Sequence, residues 1–515
     1  MPLPTSRNAK AHSQSPTGPS GPVGIGRARM SNRPPGLASL LAGVIGIAPL
    51  LLLFWSGENT PYLVPAALLW ALVLITLAVL MIGGPIDRTN PLVWGLVAML
   101  IMYSVHPVAV VLTGDLQYFY MLRYDRSSTY AEVTWYGLAA SVALCIGYVM
   151  AGRERSARPT KAVPAHSVNP STLAPLARRL GIASLVFAVG GYTLFSITTG
   201  QNPLESILGG ARRGETTSSS AYLYLSPQLI GPAGSLLCYA NHHQNRSQRS
   251  VILILMLQVL LFVPTGQRFV LLTSLFPTLM LWMYLRGARL RGVAFAGLSV
   301  LALLGLMVLR DAGSDAGTTL AGSFRNVINS PAESLTAFVT GPDTEMIDGL
   351  AIERQLVPED LDHQPLSTIT NTLAAPVPSV LWPGKPSTSD GVLNETLFGV
   401  QRNNAGVAYG FVGELYFDSG ILGIVVGFAL LGAGCQRLAQ SKRAITSIPA
   451  YAPLYFALVP LVVALARGSL GLIAGRALFS AGPVMVLAVL AWSQLRRDRS
   501  AAEDSAGRDR HSGAR

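Results

Sequence analysis

Apolar runs, most about 17 to 23 residues long, alternate along this chain with short polar connections that are mostly basic. At 1.5 Å per residue, such a run crosses about 30 Å of hydrocarbon. Backbone groups in lipid must be satisfied within their own segment, so the runs predict helices. Twelve spans follow: Leu37–Trp55, Tyr62–Met81, Pro91–Thr113, Tyr130–Met150, Leu180–Thr199, Tyr222–Tyr239, Val251–Thr265, Phe269–Leu285, Gly292–Leu309, Gly410–Ala433, Ala450–Ala466 and Leu472–Leu495. The Val251–Thr265 span is short. The expected fold is an all-α polytopic membrane protein with about 12 transmembrane helices.

The pattern breaks once, at a polar stretch of residues 310–409 between spans 9 and 10. The remaining divisions are a polar, Pro- and Gly-rich tail (1–36) expected to be disordered, spans 1–9 (37–309), spans 10–12 (410–495) and a final tail (496–515). Composition agrees: 50% of residues are hydrophobic and 12% charged, against about 25% charged in an average soluble domain.

The net charge of +12 follows the connections. Arg7, Lys10, Arg27, Arg29 and Arg33 precede span 1, and Arg153, Arg155, Arg158, Lys161, Arg178 and Arg179 follow span 4. Further clusters are Arg246 with Arg249, Arg286 with Arg289 and Arg291, Lys442 with Arg443, and Arg496, Arg497 and Arg499. Alternation puts every cluster on one side, as the positive-inside rule requires, so both termini are expected in the cytoplasm. The long loop falls outside, with four basic residues against twelve acidic ones between Asp311 and Ala408. This charge is a topology signal and not a nucleic-acid footprint.

Several chemistries are missing from the pattern. The inner connections are short and no Gly-rich phosphate loop follows a strand, which leaves no room for a nucleotide-sugar or ATP domain. No Cys/His or His-Glu-x-x-His arrangement is present, so neither a metal nor another cofactor is expected. Cys145, Cys238 and Cys435 are isolated within spans and suit apolar packing. No cleavable secretory signal is evident. A substrate therefore has to arrive through the lipid or from outside.

Three stretches carry a resemblance. Thr265-Gly266-Gln267-Arg268 forms a Gly-x-Arg turn at an outer hairpin. Val377-Pro378-Ser379-Val380-Leu381-Trp382-Pro383-Gly384-Lys385-Pro386 lies in the long loop. Gly413-Glu414-Leu415-Tyr416 with Gly420-Ile421-Leu422-Gly423 leads back into the membrane. In order and topology these resemble the Wzy-type oligosaccharide repeat-unit polymerases (O-antigen and exopolysaccharide polymerases), with Ser379 where that family often has Arg. The resemblance implies transfer of a growing glycan from undecaprenyl diphosphate to a fresh lipid-linked repeat unit, on the outer face of the cytoplasmic membrane. Its implied partners are that lipid-linked oligosaccharide, membrane lipids, a flippase and a chain-length regulator.

Such a reaction needs charge stabilisation on the departing diphosphate, a base for the acceptor hydroxyl and a sugar-binding groove. Arg suits the first, since its planar fork makes paired, charge-assisted bonds to phosphate. Arg268 at the hairpin tip and Arg402 before span 10 are the catalytic candidates, and Glu414 at the helix entrance is the candidate base. Arg212, Arg213, Arg325, Lys385, Arg467 and Arg476 are candidate substrate contacts. Trp382 and Tyr416 are candidate sugar-stacking rings. His363 has the right intrinsic pKa for a base but sits in an acidic turn. Each has a plainer alternative: snorkelling arginines, helix capping, interfacial aromatics or a solvated acidic surface.

An O-antigen-ligase-like transferase shares the donor chemistry. A transporter or flippase of lipid-linked glycans would need polar groups deep in several spans, and most spans lack them. An extracellular sensor or scaffold remains compatible with the sequence.

Overall fold

The computed structural model describes residues 63–82, 87, 89–113, 127–156, 170–200, 221–262, 268–287, 305, 320–339, 344, 346–377, 381–382, 384–398, 408–445 and 448–512. The N-terminal tail and spans Leu37–Trp55 and Gly292–Leu309, apart from residue 305, lie outside the described residues.

Among the described residues the protein is entirely helical. In chain order the helices are α1 (Leu63–Ile82), α2 (Pro91–Leu100), α3 (His106–Thr113), α4 (Ser127–Ser156), α5 (Pro170–Thr199), α6 (Ile230–His243), α7 (Arg249–Phe262) and α8 (Arg268–Leu285). The loop adds α9 (Leu320–Asn329), α10 (Pro331–Val339), α11 (Met346–Leu356), α12 (Ser367–Ala374) and α13 (Ser389–Phe398). The last three are α14 (Gly410–Ile445), α15 (Ala452–Arg467) and α16 (Leu470–Ser512).

Seven segments among the described residues are long and apolar enough to cross a membrane: Leu63–Leu80, Pro91–Ala109, Thr129–Gly152, Pro170–Thr199, Gly410–Lys442, Pro449–Arg467 and Leu470–Asp498. Arg249–Phe262 and Leu271–Leu285 are shorter apolar helices. The expected span Tyr222–Tyr239 is interrupted, with a tight turn at Ser226–Leu229 between Ala221–Leu225 and α6. Twelve full spans are thus an expectation, while the described structure supports a multi-pass helical protein. Its outward surface agrees: Ile75, Phe187, Ile197, Leu430 and Val489 are each at least 60% exposed, as suits helices bathed in lipid.

Helix ends differ from the expected boundaries. The fifth span starts at Pro170, ten residues before Leu180, because proline with its fixed φ opens a helix well. The final helix continues to Ser512 through a stretch rich in Ala, Arg, Glu and Asp, where the sequence pattern had placed a tail.

Glycine sets the closest packing. A Cβ on Gly147 of α4 would meet the Ala429 carbonyl at 1.9 Å, and one on Gly432 of α14 would meet the Leu144 carbonyl at 2.0 Å. Only missing side chains on both helices permit this approach, the usual device for close helix contact in lipid. Two irregularities aim residues toward the loop. A π-turn at Ile101–Val105 joins α2 to α3, and α14 breaks at Ser419–Gly420, where Gly420 takes φ 63°.

The two ends of the bundle are distinct. At one end the Lys442 ammonium donates to both Asp87 oxygens (2.6 and 2.7 Å) and to the Thr89 hydroxyl (2.7 Å). Burial opposes ionisation of Asp87, but the hydrogen bonds and charge of Lys442, with Thr89, prevail and lower its pKa. The opposite end carries the loop helices. Their burial differs: α9 and α10 are largely exposed, whereas Met346–Glu353 of α11 are buried without a break, wedged against α4 and α14.

Candidate active site

The helix α11 reads apolar nearly all round, through Met346, Ile347, Leu350, Ala351, Ile352 and Leu356, which is the signature of a buried helix. Its polar residues therefore need partners inside the protein, and three of them organise the loop end.

Glu353 is fully buried. Its carboxyl packs on Gly413 so closely that a Cβ there would clash with Oε2. Neither oxygen has a hydrogen-bond partner of normal geometry among the described residues, and the Phe417 amide favours the anion only weakly. Burial first, then the charges of Asp390 and Glu414, push its pKa well above the ordinary carboxylate range. Asp390, in the first turn of α13, is pushed up to about 6 by burial, with the Ser469 hydroxyl pulling the other way.

Glu414 is 1% exposed on the first turns of α14. Its Oε2 accepts the Leu470 amide, so it caps the N-terminus of α16, while Oε1 has no partner among the described residues. The buried Tyr103 hydroxyl, within the π-turn, likewise has no hydrogen-bond partner among the described residues and feels the Glu353 charge. Gly410, at φ 68°, lets α14 begin against the Ala466 carbonyl at the end of α15. The three carboxyl groups thus lie close enough for their charges to oppose one another.

Two further links fasten α11. His106 is fully buried, with Nε2 at 2.9 Å from Asp348 Oδ2 and Nδ1 at 3.1 Å from Thr344 Oγ1. Arg354 donates from Nε to Glu132 Oε1 at 3.0 Å, and the Tyr136 hydroxyl donates to the same oxygen. The Glu132 hydrogen bond raises the Arg354 pKa further, against the cost of burial.

The expected site residues fall in several places. Glu414 is in the carboxyl cluster. Arg467 ends α15, two residues before Ser469, and Arg476 follows in α16, roughly 9 Å of helix rise beyond Leu470. Tyr416 is 4% exposed, donates its hydroxyl to the Val357 carbonyl (3.2 Å) and stacks on Tyr136 (ring centroids 5.4 Å). It is a packing anchor of the loop, with no face left for a sugar. His363 sits edge-on to it at 5.6 Å, so its turn is tied to the bundle as well.

Other expected residues lie apart. The Lys385 ammonium donates to the carbonyls of Ala375 (3.1 Å) and Val377 (3.2 Å), and burial lowers its pKa. It braces the loop. Trp382 and Arg325 are exposed, Arg325 on α9. Arg268 is the first residue of α8, and the placement of its side chain is not described; Arg212, Arg213 and Arg402 lie outside the described residues. The sequence reading missed Glu353 and Asp390, treating the loop's acids as a solvated run. The all-round apolar pattern of 346–356 is the signal that would have found Glu353.

No protein-family model, curated protein or solved structure matches this chain. Its function therefore has to be argued from the site.

Proposed function

We propose that the protein is a glycosyltransferase that polymerises undecaprenyl-diphosphate-linked oligosaccharide repeat units at the outer face of the cytoplasmic membrane, for surface or exopolysaccharide synthesis. The observation that carries this reading is the Glu353–Asp390–Glu414 group where the loop meets the bundle, with Glu353 and Glu414 buried, Asp390 half-buried, and Arg467 three residues before the Leu470 amide that Glu414 accepts. Glu353 and Asp390, loop carboxyls whose pKa values burial raises, suit proton transfer from a sugar hydroxyl near neutral pH. Asp390, at about 6, is mostly ionised at pH 7 and serves as the base.

In the reaction, the acceptor oxygen bonds to the donor anomeric carbon as the bond from that carbon to the diphosphate breaks. The diphosphate leaves with the electron pair, and the acceptor proton passes to Asp390. Arg467 and Arg476, with Arg268 and Arg402, are the cations assigned to the leaving diphosphate. One missing donor of this kind costs about 3 kcal/mol of transition-state stabilisation. The protonated Glu353 keeps the total charge of the cluster low enough for an anionic donor to approach.

The test is deletion of the gene in its own host, with lipid-linked glycans extracted and sized by mass spectrometry. Single repeat units should accumulate on the outer face, and an Asp390→Asn copy should fail to restore polymer. Units held on the inner face would indicate a flippase. Normal polymer that is no longer joined to its final acceptor would indicate a ligase, and unchanged glycans would sink all three.

A further inference from the structure

The end of the bundle away from the carboxyl cluster holds a second polar site that the proposed reaction does not use. The Tyr284 ring packs on Phe456 (5.4 Å), and the neighbouring Tyr455 donates to the Thr89 carbonyl beside Lys442, which places the end of α8 at the basic end. There the α6–α7 turn and the end of α8 form an open cleft of about 270 Å³. Arg246, Arg286, His242, Asn241 and Asn245 line it, and among the described residues no acidic one does.

The site is built and not merely basic. Asn245 takes φ 51°, and the Arg246 amide donates to the Asn241 carbonyl at 2.8 Å, so the turn is closed on α6. The Asn241 amide in turn donates to Ser250 Oγ (2.9 Å), tying the turn to the start of α7. The Arg286 guanidinium lies over the Trp282 ring, 4.5 Å from its centroid, which holds the fork in place. One turn along α7 from Arg249, an apolar stripe faces outward: Leu253, Met256 and Leu260 are 65%, 64% and 66% exposed.

We propose that this cleft binds the phosphate headgroup of an anionic membrane lipid, with its acyl chains laid along the α7 stripe. The arginine forks match phosphate oxygens, and basic pockets between transmembrane helices on the cytoplasmic side are suited to anionic headgroups. Charge complementarity and the adjoining apolar track together select a lipid over a free anion. Under the positive-inside reading, this is the inner leaflet.

The experiment uses the full-length protein in detergent, incubated with mixed micelles of phosphatidylglycerol and phosphatidylcholine and examined by native mass spectrometry. Wild-type protein should retain phosphatidylglycerol preferentially. Arg246→Ala and Arg286→Ala should each weaken retention roughly fivefold, the fold-change that corresponds to about 1 kcal/mol per cation near a membrane surface. Arg437→Ala, exposed on α14, should retain it unchanged. Equal retention of the two lipids by wild-type protein would overturn the proposal without any variant, as would selectivity that survives both arginine substitutions. Displacement of the lipid by millimolar inorganic phosphate would assign the cleft to a free anion instead.

Discussion

Burial of the Asp390 carboxyl pushes its pKa up to about 6, while in the unfolded chain it would lie at about 3.9. The folded state thus holds the proton longer. Between about pH 4 and pH 6 the unfolded chain ionises first, so stability falls as pH rises through that window. Its contribution is fully present below about pH 4 and amounts to at most about 3 kcal/mol. Glu353 acts with the same sign. Thermal melts of the detergent-solubilised protein should show a lower Tm at pH 7 than at pH 4.5, and Asp390→Asn should flatten that slope. A steeper slope in the variant would contradict the burial of this carboxyl. The His106–Asp348 contact makes a separate demand: Asp348→Ala removes a buried hydrogen bond and should cost on the order of 2 kcal/mol, read as a lower Tm at every pH.

Among the elements, the α4–α14 contact depends on absent side chains. Gly432→Leu would drive a side chain into the Leu144 carbonyl, and overpacking of this kind costs about 3 kcal/mol or more. Gly434, two residues on, has no described residue within 4 Å of its Cβ position, so Gly434→Leu should be tolerated. Yields of monodisperse protein on size-exclusion chromatography should separate the two; equal yields would refute the close approach. The break at Ser419–Gly420 belongs to the same scale. It turns the first part of α14, with Glu414 and Tyr416, against the loop helices and leaves the second part to cross the membrane.

For the whole molecule, the two ends differ in chemistry: buried carboxyls under the loop, arginines and Lys442 opposite. If the loop end faces outward, Trp382→Cys in intact cells should react with a membrane-impermeant maleimide. Arg437→Cys should react only after permeabilisation. The reverse pattern would invert the orientation and remove the proposed reaction from the outer face. The native cysteines interfere little, since Cys238 and Cys435 are buried and Cys145 is half-buried.

The helical, multi-pass character was legible in the chain alone, because lipid admits few backbone solutions and a long apolar run has no other way to satisfy its amides. The basic connections gave the orientation to be tested for the same reason, since charge crosses a bilayer poorly. The place of Glu414 at a helix entrance was legible too, whereas its cap on the start of α16 was not. Burial of the loop was not. Whether Glu353, Asp390 and Asp348 meet water or meet each other depends on how α11 seats between α4 and α14, and charge counts along the loop carry no trace of that contact. Tyr416 and Lys385 show the converse: both have side chains suited to a sugar or phosphate, and packing turned both inward to brace the loop. Local pattern determined which segments are helices in lipid, since each run meets that demand by itself. Only the tertiary structure decided which polar groups share a site, because proximity across residues 353, 390 and 414 belongs to packing and not to sequence spacing.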